Sequence, residues 1–199
     1  MSKIKLLLIS IGVSGLLLAG SVVGFGQQAG EPSYEVSLQL LLGSNDATQK
    51  GNLPANLSAV SQQIKSSFGM TNHRLVGTFL GRMGNSGNFE SKSGLNIGQQ
   101  ISGQPQSFLE WNINGLRSGQ GVKGYQVQQL RIQARVPVTT GSAKDDSGKE
   151  RSIVNYENLG LNFSKVGFQE NVPTMIGTLN LSGASETIFV IMTVKAVDL

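Results

Sequence analysis

Leu130, Ile132, Ala134, Val136 and Val138 alternate with Gln129, Arg131, Gln133 and Arg135. Side chains of an extended chain point to opposite faces with a period of two, so this run specifies a strand with one apolar and one wet face. A helix would bring residues three and four apart together and would mix the two sets. The sheet that holds the run is therefore covered on one side only, as antiparallel sheets commonly are. Pro137 lacks an N–H and puts the end of this strand, residues 125–138, at an edge or a bulge.

The same period governs most of the remaining chain. Tyr34, Val36, Leu38, Leu40 and Leu42 alternate with Glu35, Ser37 and Gln39. Residues 74–83 and 88–92 flank Gly84-Asn85-Ser86-Gly87, a run able to adopt positive φ, and this reads as a hairpin. Residues 108–116 place Leu109, Trp111 and Ile113 on one face and Glu110, Asn112 and Asn114 on the other. Within 152–163 the apolar parity changes from Val154 and Tyr156 to Leu159, Leu161 and Phe163, which predicts a bulge near Asn158 or Gly160. Residues 174–181 form a short strand. Residues 187–197, apolar at nearly every position from Ile188 to Met192, read as a central strand covered on both faces.

One helix interrupts the strands. Leu53, Leu57, Val60, Ile64 and Phe68 stack on one face of a helix over residues 54–68, with Asn52 as a capping residue, Pro54 in the first turn and Gly69 at the left-handed stop. The expected fold class is α+β, predominantly antiparallel β. It is a β-sandwich-like sheet with the one amphipathic helix in an N-terminal βαββ unit. The glycine-rich stretch 94–103 is a candidate sub-boundary within a single α+β domain over residues 27–199.

Residues 1–26 read as a signal peptide. Lys3 and Lys5 supply the positive start, residues 6–19 the apolar run, and Gly24 and Gly26 the small side chains required before cleavage at Gln27. The alternative is a retained anchor, since residues 6–25 are long enough to span a bilayer of about 30 Å. The reading implies export, to a periplasmic or extracellular location. Half of the formal charge of +4 then belongs to the leader. The remainder has no basic stripe with interleaved aromatics, so nucleic acid is not an expected partner. With no cysteine, disulfides, thiolate metal sites and cysteine nucleophiles are excluded, and stability must come from burial and backbone pairing.

Little in the sequence points to catalysis. The one histidine, His73, would have to serve as the base of any Ser-His-Asp set, and no G-x-S-x-G elbow accompanies it. It reads as a surface or strand-end histidine. The acidic run of residues 144–150 lacks the D-x-[DN]-x-[DN]-G spacing of a calcium loop and reads as a solvated hairpin loop. No metal, cofactor or phosphate-loop signature is present, so no cofactor is expected and the chain is read as a non-enzyme. The interaction candidates are Gln129, Arg131, Gln133 and Arg135 on the wet strand face. Trp111 joins them as a stacking platform, although its face is shared with Leu109 and Ile113, which favours the core.

Ala134-Arg135-Val136-Pro137-Val138, a polar insert, and then Ser152 onward through Val154-Asn155-Tyr156-Glu157-Asn158-Leu159-Gly160-Leu161 to Phe163 form one recognisable stretch. It resembles a segment of bacterial secretins, the outer-membrane channels of secretion and pilus systems. There a V-P strand end is followed by a V-x-Y-x-x-[VIL]-G-[VIL] strand. Val172-Pro173 to Leu179, followed by the acidic Glu186 and the strand from Thr187 to Thr193, is similar to the closing secretin segment. The resemblance covers about one third of residues 27–199. The chain is too short for a full channel domain with several periplasmic domains, and no gate strands are apparent.

The resemblance implies a non-catalytic exported interaction or assembly protein of the bacterial cell envelope, an accessory or reduced relative of secretin components. Its partners would be envelope or secretion-system proteins or further copies of itself, and it would meet a membrane only through an uncleaved leader. The alternative is a secreted β-sandwich that binds a ligand or carbohydrate through Trp111, Tyr125 or Tyr156.

Overall fold

An extended segment with one apolar face can bury it only against another such face, and the alternating runs solve this by pairing into two sheets. The computed structural model describes residues 33–45, 51, 53–96, 106–119, 124–144, 146–180 and 186–197. In chain order these hold β1 (Ser33–Ser44), a single 3-10 turn (Ala55–Leu57), α1 (Ser58–Phe68), β2 (Asn72–Met83) and β3 (Phe89–Leu95). There follow β4 (Ser107–Asn114), β5 (Arg117–Ser118), β6 (Gly124–Lys144), β7 (Glu150–Gln169), β8 (Thr174–Asn180) and β9 (Thr187–Val197). One sheet has the order β2-β1-β9-β8; in the other, β3 pairs β4, β4 pairs β6, and β5 and β7 also pair β6. Every strand pairing is antiparallel. The fold is thus predominantly antiparallel β with one short helix, as the periodicity predicts.

The core lies between the sheets. Leu38, Leu40, Val190 and Met192 face Leu109, Trp111, Leu130 and Ile132, all of them 1% exposed or less. A second, smaller core lies on the outer face of the first sheet, where Leu57, Val60 and Ile64 of the helical segment cover Leu41, Phe189 and Ile191. This explains the unbroken apolar run of β9: its even residues fill the sandwich and its first odd residues meet the helix. We call this sheet the helix-bearing sheet and the other the open sheet.

The helix ends as its sequence dictates. Gly69 has φ +70 and donates its N–H to the Lys65 carbonyl at 3.1 Å. Its start differs. Pro54 stands before the 3-10 turn at φ −55, ψ 142, and Leu57 precedes α1 with no side-chain cap, while Asn52 lies outside the described residues.

Two other expectations are corrected. Residues 74–83 and 88–92 do not pair as a hairpin: β2 lies in the helix-bearing sheet and β3 in the open one. The turn itself forms, with the Gly87 N–H donating to the Gly84 carbonyl at 3.0 Å and Gly87 at φ +63, but it carries the chain across the sandwich. The βαββ run is therefore divided between the sheets. The bulge expected near Asn158 or Gly160 is absent, since β6 and β7 hold one register from Gly124↔Gln169 to Thr139↔Val154. Parity instead changes in both strands together at Gln128 and Lys165, the latter at φ +56, so that Tyr125, Val127 and Phe168 stay inside along with Leu130 and Ile132. The register itself shifts at Thr140.

Residues 1–26 lie outside the described residues, as does most of 94–103, whose flanking strands pair from Phe89↔Ile113 to Leu95↔Ser107. No helix among the described residues is long and apolar enough to cross a membrane.

Candidate functional site

The outer face of the open sheet is built from the polar half of each alternating strand. Its register sets Glu90 beside Asn112, Arg131 and Asn162; Lys92 beside Glu110, Gln133 and Gly160; and Gly94 beside Phe108, Arg135 and Asn158. These rungs floor a shallow depression of about 260 Å³ lined by Glu90, Glu110, Trp111, Asn112, Gln129, Arg131 and Gln133. The Lys92 ammonium lies 3.1 Å from Glu110 and 3.9 Å from Glu90, so the carboxylates of the depression are partnered within the face. Such exposed pairs contribute little to stability.

One end of this face is aromatic. Phe108 is 44% exposed and Tyr156 39%, with ring centroids 6.4 Å apart. The Arg135 guanidinium lies 5.2 Å from the Tyr156 ring centre, and the Tyr156 hydroxyl donates to the Gln106 carbonyl at 3.2 Å. The ring is thus held from one face and from its tip.

The structure gathers Gln129, Arg131, Gln133 and Arg135 on this one face, with Gln133 half-buried and the others exposed. Trp111 is corrected to a core residue. Its odd position turns it inward, where it is 1% exposed and its ring lies 4.7 Å from that of Phe89. Tyr125 is also unavailable for stacking: it is buried, donates to Glu170 at 2.7 Å, and burial together with that bond pushes its pKa up to about 12. Of the aromatic residues considered from sequence, Tyr156 alone is exposed. Phe108 was not singled out, although its parity with Glu110 and Asn112 marks an aromatic on the wet face of β4.

A second feature is the length of β6 and β7. β4 pairs β6 only as far as Phe108↔Arg135, whereas β7 follows it to Lys144↔Glu150. Among the described residues, β6 beyond Arg135 has only β7 as a neighbour. The result is a two-stranded ribbon of about 30 Å at ~3.3 Å per residue, with Ile153 exposed near its tip. Of the acidic segment predicted as a solvated loop, Lys144 and Glu150 end the two strands, and the described residues between them, 146–149, are exposed at the turn of this ribbon. β7, 20 residues long, pairs only β6 and is therefore an edge of the open sheet among the described residues.

Elsewhere the polar groups tie elements together. His73, at the start of β2, is buried, and its Nδ1 lies 2.8 Å from Ser61 Oγ on α1. Burial holds the imidazole below the ordinary histidine value, partly opposed by the Met70 backbone. Among the described residues His73 Nε2 has no hydrogen-bond partner, so none of them supplies the orienting group of a catalytic set. On the helix-bearing sheet Glu35 lies 2.8 Å from Lys195 and 3.0 Å from Arg82, its two cross-strand neighbours, and these cations lower its pKa. No group of three or more potential metal ligands occurs among the described residues.

The fold and surface define an antiparallel β-sandwich with a helix on one outer face, a polar platform on the other, and a projecting ribbon. No family model matches the chain, and no curated protein or solved structure matches it.

Proposed function

We propose that this chain is a non-catalytic exported interaction or assembly protein of the bacterial cell envelope, an accessory or reduced relative of secretin-type components. The supporting observation is the long edge strand β7 and the ribbon it forms with β6. An edge offers unpaired N–H and C=O groups to an added strand. A ribbon outside the sandwich buries little apolar surface, and isolated two-stranded hairpins are marginal in water, so a partner that adds a strand would stabilise it. The edge is also weakly defended. From Ser152 to Ser164 it contains no proline and a single charge, Glu157, whereas edges that avoid pairing commonly carry both.

The test is photo-crosslinking in an envelope-producing cell from probes placed at Ile153 and at Asn162. The reading expects discrete adducts with an envelope protein or with a second copy from both positions, and none from a probe at Leu80 on the helix-bearing sheet. A chain that is monomeric after purification and yields no adduct from either position overturns it.

A further inference from the structure

We infer that the outer face of the open sheet is a binding platform for a neutral polysaccharide chain, with Phe108 and Tyr156 as its stacking end. This goes beyond strand addition at β7 and uses a different surface.

The first argument is the placement of the rings. A single exposed apolar residue on a protein surface needs no explanation. Here two rings are exposed side by side on a face that is otherwise polar, and neither packs into the core. Tyr156 is held in place by Gln106 and Arg135, so little rotamer freedom remains to be lost when a ligand covers it. A pyranose ring presents an apolar C–H face with hydroxyls around its rim, and a fixed aromatic ring complements that face.

The second argument is the chemistry of the floor. Sugar hydroxyls both donate and accept, and the amides of Asn112, Gln129 and Gln133 offer both functions in a fixed plane. Lys92 partners Glu90 and Glu110, and Arg135 is engaged by Tyr156. Arg131 lies in the same depression, so the two carboxylates there stand against two cations, and Arg135 at the aromatic end leaves the platform one positive charge in excess; amides and a small net charge suit an uncharged ligand.

The third argument is shape. Small-molecule sites are enclosed, typically ~300–1,000 Å³, and bury most of their ligand. A depression of about 260 Å³ on an open sheet cannot do so. It is continuous with the aromatic end along β4, about 20 Å from Phe108 to Asn114 at ~3.4 Å per residue. This is the form of a track for a chain. A peptide would find its complement at the β7 edge, because the face has no free backbone groups to offer.

Native affinity electrophoresis of the purified protein in gels containing hydroxyethylcellulose, galactomannan, xylan or dextran tests the inference, with alginate as the anionic control. Retardation is expected in at least one neutral gel and should be insensitive to salt. Phe108→Ala and Tyr156→Ala should each weaken it about three- to tenfold, from the usual worth of an aromatic contact. Tyr156→Phe should keep most of it, and Leu80→Ala on the other sheet should leave it unchanged. Circular dichroism melts confirm that these exposed-site variants are folded. No retardation in any neutral gel, retardation that survives Phe108→Ala and Tyr156→Ala combined, or retardation by alginate alone overturns the inference. None of these outcomes alters the crosslinking expected from β7, so the two readings fail separately.

Discussion

The Tyr125 hydroxyl donates to a Glu170 carboxylate oxygen at 2.7 Å, joining the first residues of β6 to the point where the chain leaves β7. The Tyr125 hydroxyl oxygen in turn accepts the Ala196 N–H at 3.0 Å, and Glu170 forms a parallel bridge with Val194. One phenol thus connects the open sheet, the crossover and the last turns of β9. Its ring also meets Tyr34 edge-on, with centroids 5.7 Å apart.

Tyr125→Phe removes both bonds and keeps the ring. The expected loss is about 1–2 kcal/mol, the net worth of bonds whose partners can be rehydrated at the sheet end, read from urea midpoints. The raised pKa gives a second readout. Because the folded value of about 12 exceeds the ordinary value of 10.0, this stabilisation is complete below about pH 10 and is lost as pH rises towards 12. In a titration of phenolate absorbance, a component titrating near pH 12 should be present and should vanish in Tyr125→Phe.

Ser61 and His73 close the helix onto the start of β2. Ser61→Ala should cost about 1 kcal/mol, since it leaves a buried ring nitrogen without its partner. Burial disfavours the charged imidazole, so its folded pKa lies below its unfolded one. Its contribution is complete above the ordinary value of about 6.5 and is lost as pH falls through that value towards the lower folded one. Stability should therefore fall as pH drops below the ordinary histidine value, and His73→Gln should flatten that part of the profile. An unchanged slope in the variant would show that other groups set it.

Gly87 should tolerate no side chain. It combines φ +63 with a close approach in which an added Cβ would meet the Leu116 carbonyl, and that segment is fixed by the Leu116 N–H donating to Gly87 at 3.0 Å. Gly87→Ala is expected to cost about 1–3 kcal/mol, while Gly84→Ala in the same turn, with open space around it, should be nearly neutral. Thermal melts of the pair check this.

The same turn shows where sequence reading stops. Alternation in β1 and β6, the unbroken apolar run of β9 and the stripe Leu57-Val60-Ile64 are local properties, and each produced the predicted element because burial selects faces residue by residue. Gly84 to Gly87 specifies a reversal but not whether the strands after it pair or part, because partner choice is made by distant residues. The change of apolar parity after Tyr156 was visible, but it marks an exposed Tyr156 rather than a bulge, and the parity change that does occur, at Lys165, depends on the matching change at Gln128 across the ladder. The platform was half legible. The alternation identified Gln129, Arg131, Gln133 and Arg135, whereas the Phe108–Tyr156 pair arises from residues far apart in sequence that only the register brings together.

Trp111 is the residue on which a stacking role and a packing role make opposite predictions. It is 1% exposed, and it sits between Phe89 and the strands of the facing sheet. Trp111→Ala should cost about 3–5 kcal/mol through lost burial and the cavity left behind, a large share of a domain's total stability. Its Nε1 has no hydrogen-bond partner among the described residues, so Trp111→Phe forfeits packing alone and should cost distinctly less. Chemical denaturation of both variants gives the ordering. A stacking platform would instead lose ligand at unchanged stability, which is the behaviour expected of Tyr156→Ala on the opposite face.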